Sequence, residues 1–266
     1  MALLAFYAFA AGAVVGSFLN VVIHRYPREE SIVFPPSHCP HCGYAIRPWD
    51  NIPLVSWLVL RGRCRNCREP ISIRYPLVEL SNALLYLAVF QRTGPAYAFV
   101  PLAAFVSMTI VLVYIDLDIQ ILPDAITYPG IALGLLASWL MLFAGHGGLV
   151  LAEDWIDSAA GAVLGASILT AIILTYWLIR RVEGMGWGDV KMIAMIGAFM
   201  GWRAVPGVLL MASIAGALIG VPVALRSEKR MQVALPFGVF LGLASLAILF
   251  FGHTLFEWWM RLLVLP

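Results

Sequence analysis

Apolar residues run almost unbroken through eight stretches, at 2–23, 76–91, 97–115, 125–143, 158–179, 189–202, 204–225 and 235–252. Short polar breaks separate them, apart from one long polar segment at 24–75. A helix needs about 20 apolar residues to cross a bilayer, fewer where it borders protein instead of lipid. Each stretch therefore predicts a transmembrane helix. The sixth is short, and its apolar run from Val190 to Met200 contains Gly197. Pro123 and Asp124 mark a helix restart, because proline fits the first turn. The pattern predicts an all-α polytopic membrane protein of about eight transmembrane helices with one small polar loop domain.

Composition agrees. The 266 residues are 62% hydrophobic and only 12% charged, with a mean hydropathy of +0.90. Soluble domains are about a quarter charged, so a water-soluble globular enzyme is excluded. The net charge of +2 says little, but its distribution says more. Of 17 Lys and Arg residues, eight lie in the long polar segment: Arg25, Arg28, Arg47, Arg61, Arg63, Arg65, Arg68 and Arg74. Arg180, Arg181 and Lys191 flank the run Gly186-Trp187-Gly188-Asp189, and Arg226, Lys229 and Arg230 follow the seventh stretch. Alternating the spans puts all of these on one side. Arg92, Arg203 and Arg261 fall on the other, with Glu153, Asp154, Asp157 and Glu257. The positive-inside rule then predicts both termini outside and the 24–75 loop in the cytoplasm. The first stretch has its basic residues after the apolar core, the wrong flank for a secretory signal, so a retained helix is expected.

The polar loop holds all four cysteines, as Cys39-Pro40-His41-Cys42 and Cys64-Arg65-Asn66-Cys67. Two C-x2-C pairs separated by 21 residues suit one tetrahedral zinc with four sulfur ligands. Two disulfides are the alternative, but they require an oxidising compartment, and the charge pattern places this loop in the cytoplasm. His38 and His41 are spare ligand candidates. A loop of this size buries little apolar surface, so a metal would supply folding energy. Ile52, Leu54, Trp57 and Leu60 are expected to pack on the ribbon or to lie at the headgroup level.

Acids are expensive beside hydrocarbon, so a rim carboxylate is a functional hypothesis by default. Asp116 ends a long apolar run in Ile115-Asp116-Leu117-Asp118, and Asp189 ends Gly184-Met185-Gly186-Trp187-Gly188-Asp189. The alternate glycines permit bending and close approach. Their spacing does not match a dinucleotide loop, and they follow an apolar helix, not a strand. Topology brings Asp116 and Asp189 to the same face. Two carboxylates held close cannot both ionise easily, which offers one base to activate water and one acid to protonate a leaving amine. Asp118 and Asp124 also read as an ordinary cap or a solvated loop acid. Lys191 either depresses the pKa of a neighbouring carboxylate or snorkels to the headgroups, with snorkelling slightly ahead.

These residues resemble the type IV prepilin peptidases, bifunctional leader peptidases and N-methyltransferases of bacterial inner membranes. The resemblance spans nearly the whole chain. It is carried by Gly16-Ser17-Phe18-Leu19-Asn20-Val21-Val22, the double C-x2-C loop, Asn51-Ile52-Pro53 with Ser56-Trp57, and Arg74-Tyr75-Pro76 with Glu79-Leu80. It continues through Asp116 with Pro123-Asp124 and Gly186-Trp187-Gly188-Asp189-Val190-Lys191. It implies a GxGD-type aspartyl protease with Asp116 and Asp189 catalytic. In the family pattern the first acid stands seven residues before the proline of Pro123-Asp124, which makes Asp118 the runner-up. Gly186, Gly188, Lys191 and Asp118 are the implied supporting residues. The implied substrates are prepilins or pseudopilins of type IV pilus or type II secretion systems, cut after a glycine on the cytoplasmic side. The new N-terminus would then be methylated from S-adenosylmethionine. Gly16, Asn20, Arg25 and Glu79 are the methyltransferase candidates, although Gly16 also reads as helix packing and Glu79 as a partner of Arg74.

The expected division is a helix at 1–23, a zinc loop associated with methyl transfer at 24–75, and a peptidase core at 76–266. Prepilins and membrane lipid are the expected partners, with no nucleic acid. The outer loop from Gly145-His146-Gly147-Gly148 to Asp157 is longer than the family suggests, and His146 and His253 receive no role. Two rivals compete. An ion-coupled transporter also uses rim acids, but no inverted repeat is visible. A scaffold with a zinc loop leaves the settings of Asp116 and Asp189 unexplained.

Overall fold

The computed structural model describes residues 1–143, 152–182, 185–226 and 235–263. Gly184, His146 with its neighbouring glycines, Lys229 and Arg230 lie outside the described residues, as does the side chain of His253. Among the described residues there are nine α-helices and no strand, only two isolated bridges. Each apolar stretch read from the sequence corresponds to one helix, with 97–98, 201–202 and 235–236 falling outside the helix ends. By length and composition, four helices suffice to cross a membrane: Ala2–Arg28, Phe99–Ile119, Trp155–Arg180 and Ala204–Val223. Phe237–Gly252 is a shorter apolar helix. The eight expected crossings are thus four by this measure among the described residues.

The chain forms two compact units, Met1–Val111 and Leu112–Pro266. The first holds α1 (Ala2–Arg25), the cysteine loop with the short α2 (Val55–Val59), α3 (Arg74–Thr93) and the start of α4 (Phe99–Ile119). Gly12 and Gly16 share one face of α1 and let α3 approach closely, as small residues four apart do in membrane helices. A Cβ at Gly12 would lie 2.8 Å from Ala83 Cα, and one at Gly16 2.8 Å from Glu79 Cα. The contact is completed by Asn82, whose amide donates to the Gly12 carbonyl at 2.7 Å and accepts from Ser107 at 3.0 Å. That pairing satisfies polar groups that would otherwise be costly among apolar helices. Gly16 therefore serves packing.

The second unit contains the rest of α4, then α5 (Asp124–Phe143), α6 (Trp155–Arg180), α7 (Trp187–Met200), α8 (Ala204–Arg226) and α9 (Phe237–Leu263). Its centre is α7, in which Val190 and every residue from Met192 to Met200 are buried. A helix of 14 residues spans about 21 Å, short of a bilayer core, and α7 tolerates this because protein surrounds it. Gly161 of α6 and Gly197 of α7 bring the two backbones together: a Cβ at Gly197 would stand 2.2 Å from the Gly161 carbonyl oxygen. Gly197→Val should therefore wedge the pair apart and lower thermal stability in detergent by about 3 kcal/mol or more. Gly216→Ala, whose Cβ meets Phe240 at an ordinary 3.5 Å, should leave the melting temperature nearly unchanged.

Two of the acids expected on the outer side, Asp154 and Asp157, hold turns. Asp154 caps α6 by accepting the Asp157 N–H at 2.7 Å. The buried Asp157 carboxylate accepts the N–H groups of Glu153 at 2.8 Å and Trp202 at 3.0 Å, joining the start of α6 to the turn after α7.

Candidate active site

Asp116 is buried near the end of α4 and Asp189 is buried in the first turn of α7. The two carboxylates lie within Coulombic reach of each other. Leu122, in the break between α4 and α5, explains their approach. A Cβ at Gly188 would lie 2.8 Å from Leu122 Cβ, and a Cβ at Gly238 would lie 2.9 Å from both Leu122 Cδ1 and Asp116 Oδ2. Glycine at 188 and 238 thus lets three chain segments close around one leucine and two acids. At Gly186 the nearest such contact is 3.8 Å, so of the two described glycines in the run only Gly188 is required by space.

Asp116 also receives the start of α9. Its Oδ2 accepts the Val239 N–H at 3.0 Å, and the Gly238 backbone bonds it as well. The first N–H groups of a helix lack intrahelical partners and favour an anion, so the end of α9 holds this carboxylate in place. The sequence reading missed Gly238 and Val239. The available signal was Pro236-Phe237-Gly238, a proline and a glycine at the head of an apolar run.

Asp118, two residues on, is exposed, so burial distinguishes it from Asp116. Lys191 is paired with Asp124 of α5 and lies 5.5 Å from the Tyr128 ring centroid. A carboxylate and an aromatic face on the adjoining helix hold the ammonium.

The four cysteine sulfurs of the first unit lie within 4.8 Å of one another, and Cys39 Sγ is 3.8 Å from Cys67 Sγ. Tetrahedral zinc with bonds of about 2.3 Å needs sulfurs about 3.8 Å apart. Two matching knuckles build the cluster. Cys39 N–H donates to the Tyr44 carbonyl and Cys64 N–H to that of Glu69; Gly43 N–H donates to Cys39 and Arg68 N–H to Cys64. Cys42 is held at a pKa of about 6 by the Tyr44 backbone and the Asn66 amide. The Glu69 backbone lowers Cys67, but desolvation and its sulfur neighbours push it up to about 12. Sulfurs so close resist a second negative charge, which a divalent cation would relieve. His38 and His41 stand outside this cluster. Gly43 and Arg68 occupy equivalent left-handed positions, with φ of 68° and 61°. Arg68→Gly should remove strain and stabilise the loop by about 0.5–1 kcal/mol, read as a shift in its denaturant midpoint.

Comparison with known proteins places these features. Residues 10–93, which hold all four cysteines, match the family described as Bacterial Peptidase A24 N-terminal domain. Residues 103–221, which hold both aspartates, match the Type IV leader peptidase family. Over 276 residues the chain is 37% identical to a prepilin leader peptidase/N-methyltransferase of Aeromonas hydrophila, covering 95% of this chain and 92% of that protein. The chain belongs to the type IV leader peptidase family. It is also 36% identical over 271 residues to the protein of the same name from Burkholderia pseudomallei strain 1026b, covering 92% of this chain and 85% of the relative. A Pseudomonas putida relative is 37% identical over 280 residues, covering 95% and 92%. No solved structure matches the chain significantly.

In this leader peptidase family member the N-terminal unit also encloses a cavity of about 580 Å³, within the range of small-molecule sites. Asn20, Arg25 and Glu79 line it, together with Ile52, Leu54, Trp57 and Leu60. Trp57 packs on Gly62 and donates to the Ile71 carbonyl at 3.2 Å, while Leu54 and Leu60 are half-buried and Ile52 is exposed. The Asn20 amide donates to the Tyr75 carbonyl at 3.1 Å, and Arg25 donates to the Ser31 carbonyl at 3.0 Å. Bidentate bonds of 2.6–2.9 Å from Arg65 to Asp50 tie the second knuckle to the segment before α2. Arg65 holds the Asp50 carboxyl below its usual range.

Proposed function

We propose that this protein is a prepilin leader peptidase and N-methyltransferase of the bacterial inner membrane. The observation that carries the reading is the apposition of Asp116 and Asp189, two buried acids remote in sequence, inside the segment that matches the leader peptidase family. One carboxylate takes a proton from water as it attacks the scissile carbonyl; the other gives a proton to the departing amine nitrogen. Val239 and Gly238 hold Asp116 in position, and Lys191, through Asp124, ties α7 to α5. The substrates are prepilins or pseudopilins with a short basic leader.

The zinc loop and its cavity serve the second reaction, and the 76–266 segment carries the first. Cys39, Cys42, Cys64 and Cys67 fit structural zinc, which would lock the two knuckles together. The cavity fits S-adenosylmethionine, which supplies an electrophilic methyl group. Asn20 and Arg25 brace the cavity wall. The charge distribution supports eight crossings, with both termini periplasmic and the loop and aspartates cytoplasmic. Mass spectrometry of a prepilin incubated with membranes containing the protein tests the whole reading: loss of the leader and gain of one methyl group on the new N-terminus are expected. An uncut precursor would refute it.

A further inference from the structure

We propose that Glu79 is the proton acceptor for the N-terminal α-ammonium that leader cleavage releases. This rests on the methyltransferase reading above. Glu79 is a buried acid on α3 that faces the cavity of the first unit. Its Oε2 accepts the Leu54 N–H at 2.8 Å, and the Ser17 hydroxyl bonds the same carboxylate. Among the described residues no arginine or lysine acts on it, Arg74 included. His24 and Arg25 of α1 and Glu30 and Asp50 of the loop share the cavity wall, and none exerts a resolved charge effect on Glu79. A carboxylate has about four acceptor positions; two neutral donors leave room for a cationic one.

The loop is strained to present its donor. Leu54 has φ 62° and ψ −50°, and the Val55 N–H donates to the Pro53 carbonyl at 2.6 Å, closing a γ-turn of the rare form. Backbone strain of this kind collects where a structure needs a group placed for function. Here it aims one N–H at a carboxylate that has no cation. An α-ammonium provides three donors and the missing positive charge. Glu79 takes one proton from it, leaving a neutral amine. The amine nitrogen then forms a bond to the methyl carbon as the carbon–sulfur bond of the sulfonium donor breaks. The positive charge passes to the methylated amine, the sulfur leaves as a neutral thioether, and the Glu79 proton is lost to solvent.

The test uses the full chain in nanodiscs with a prepilin and S-adenosylmethionine, reading cleavage and methylation separately. Glu79→Gln should still remove the leader while methylation at pH 7 falls about tenfold, because about a tenth of an amine with a pKa near 8 is neutral there. Its residual rate should climb about tenfold per pH unit until the amine loses its own proton near pH 8, while the unaltered protein stays nearly flat. Labelling of the unaltered protein with a water-soluble carbodiimide provides a measurement that needs no variant. A mature pilin N-terminal peptide with a free amine should protect Glu79, and its N-acetylated form should not. Glu79→Gln methylating at full rate at pH 7, equal loss at every pH with cleavage intact, or equal protection by both peptides would each overturn the proposal. If Glu79→Gln does not cut, the labelling result decides. No methyl transfer by the unaltered protein would overturn the underlying reading instead.

Discussion

Asp116→Asn and Asp189→Asn should each abolish leader removal, with a fall in rate of about 10⁴-fold, while both variants insert normally. The substitution keeps shape and removes only the ability to exchange a proton. At position 116 the amide oxygen of asparagine can still accept the Val239 N–H, now bonded at 3.0 Å, so the start of α9 retains its anchor. Thermal stability should therefore change little, and the loss reports chemistry. Asp118→Asn is the internal control, because Asp118 is exposed; it should cut at close to the unaltered rate. Conversion of prepilin on a gel checks all three. Cleavage by both Asp116→Asn and Asp189→Asn, or loss with Asp118→Asn alone, would remove the basis for the assignment.

Cys64→Ser should release the metal. The four sulfurs fit one tetrahedral ion, and three ligands do not close such a site. Structural zinc in small domains contributes about 10–16 kcal/mol of folding free energy, so the loop should lose its ordered knuckles. Cys39 and Cys64 both line the cavity wall, and methylation should therefore fail first. The aspartates belong to the other compact unit, so leader cleavage should survive at least in part. Elemental analysis of the purified variant should show zinc well below one ion per chain. Zinc lost with both activities intact would make the loop dispensable.

The sequence alone determined the features that depend on near neighbours. Apolar runs specified helices because a backbone in hydrocarbon must bond within its own segment. The C-x2-C spacing specified the sulfur cluster because each knuckle is a local turn. The motif order specified the family, which the comparisons then established. The acids at 116 and 189 stood out because charge beside hydrocarbon is costly.

Only the tertiary structure decided which groups meet. Asp116 finds its backbone donor 123 residues away on α9, Lys191 pairs with Asp124 across 67 positions, and Glu79 takes the Leu54 N–H instead of Arg74. Local patterning is silent on all three, since each partnership follows from how close two helices or a turn can come. At Asp116 that distance depends on glycines at 188 and 238 whose space is visible only once the opposing chain is in place. The short length of α7 has a related reason: protein shields it, so it escapes the length that lipid would demand.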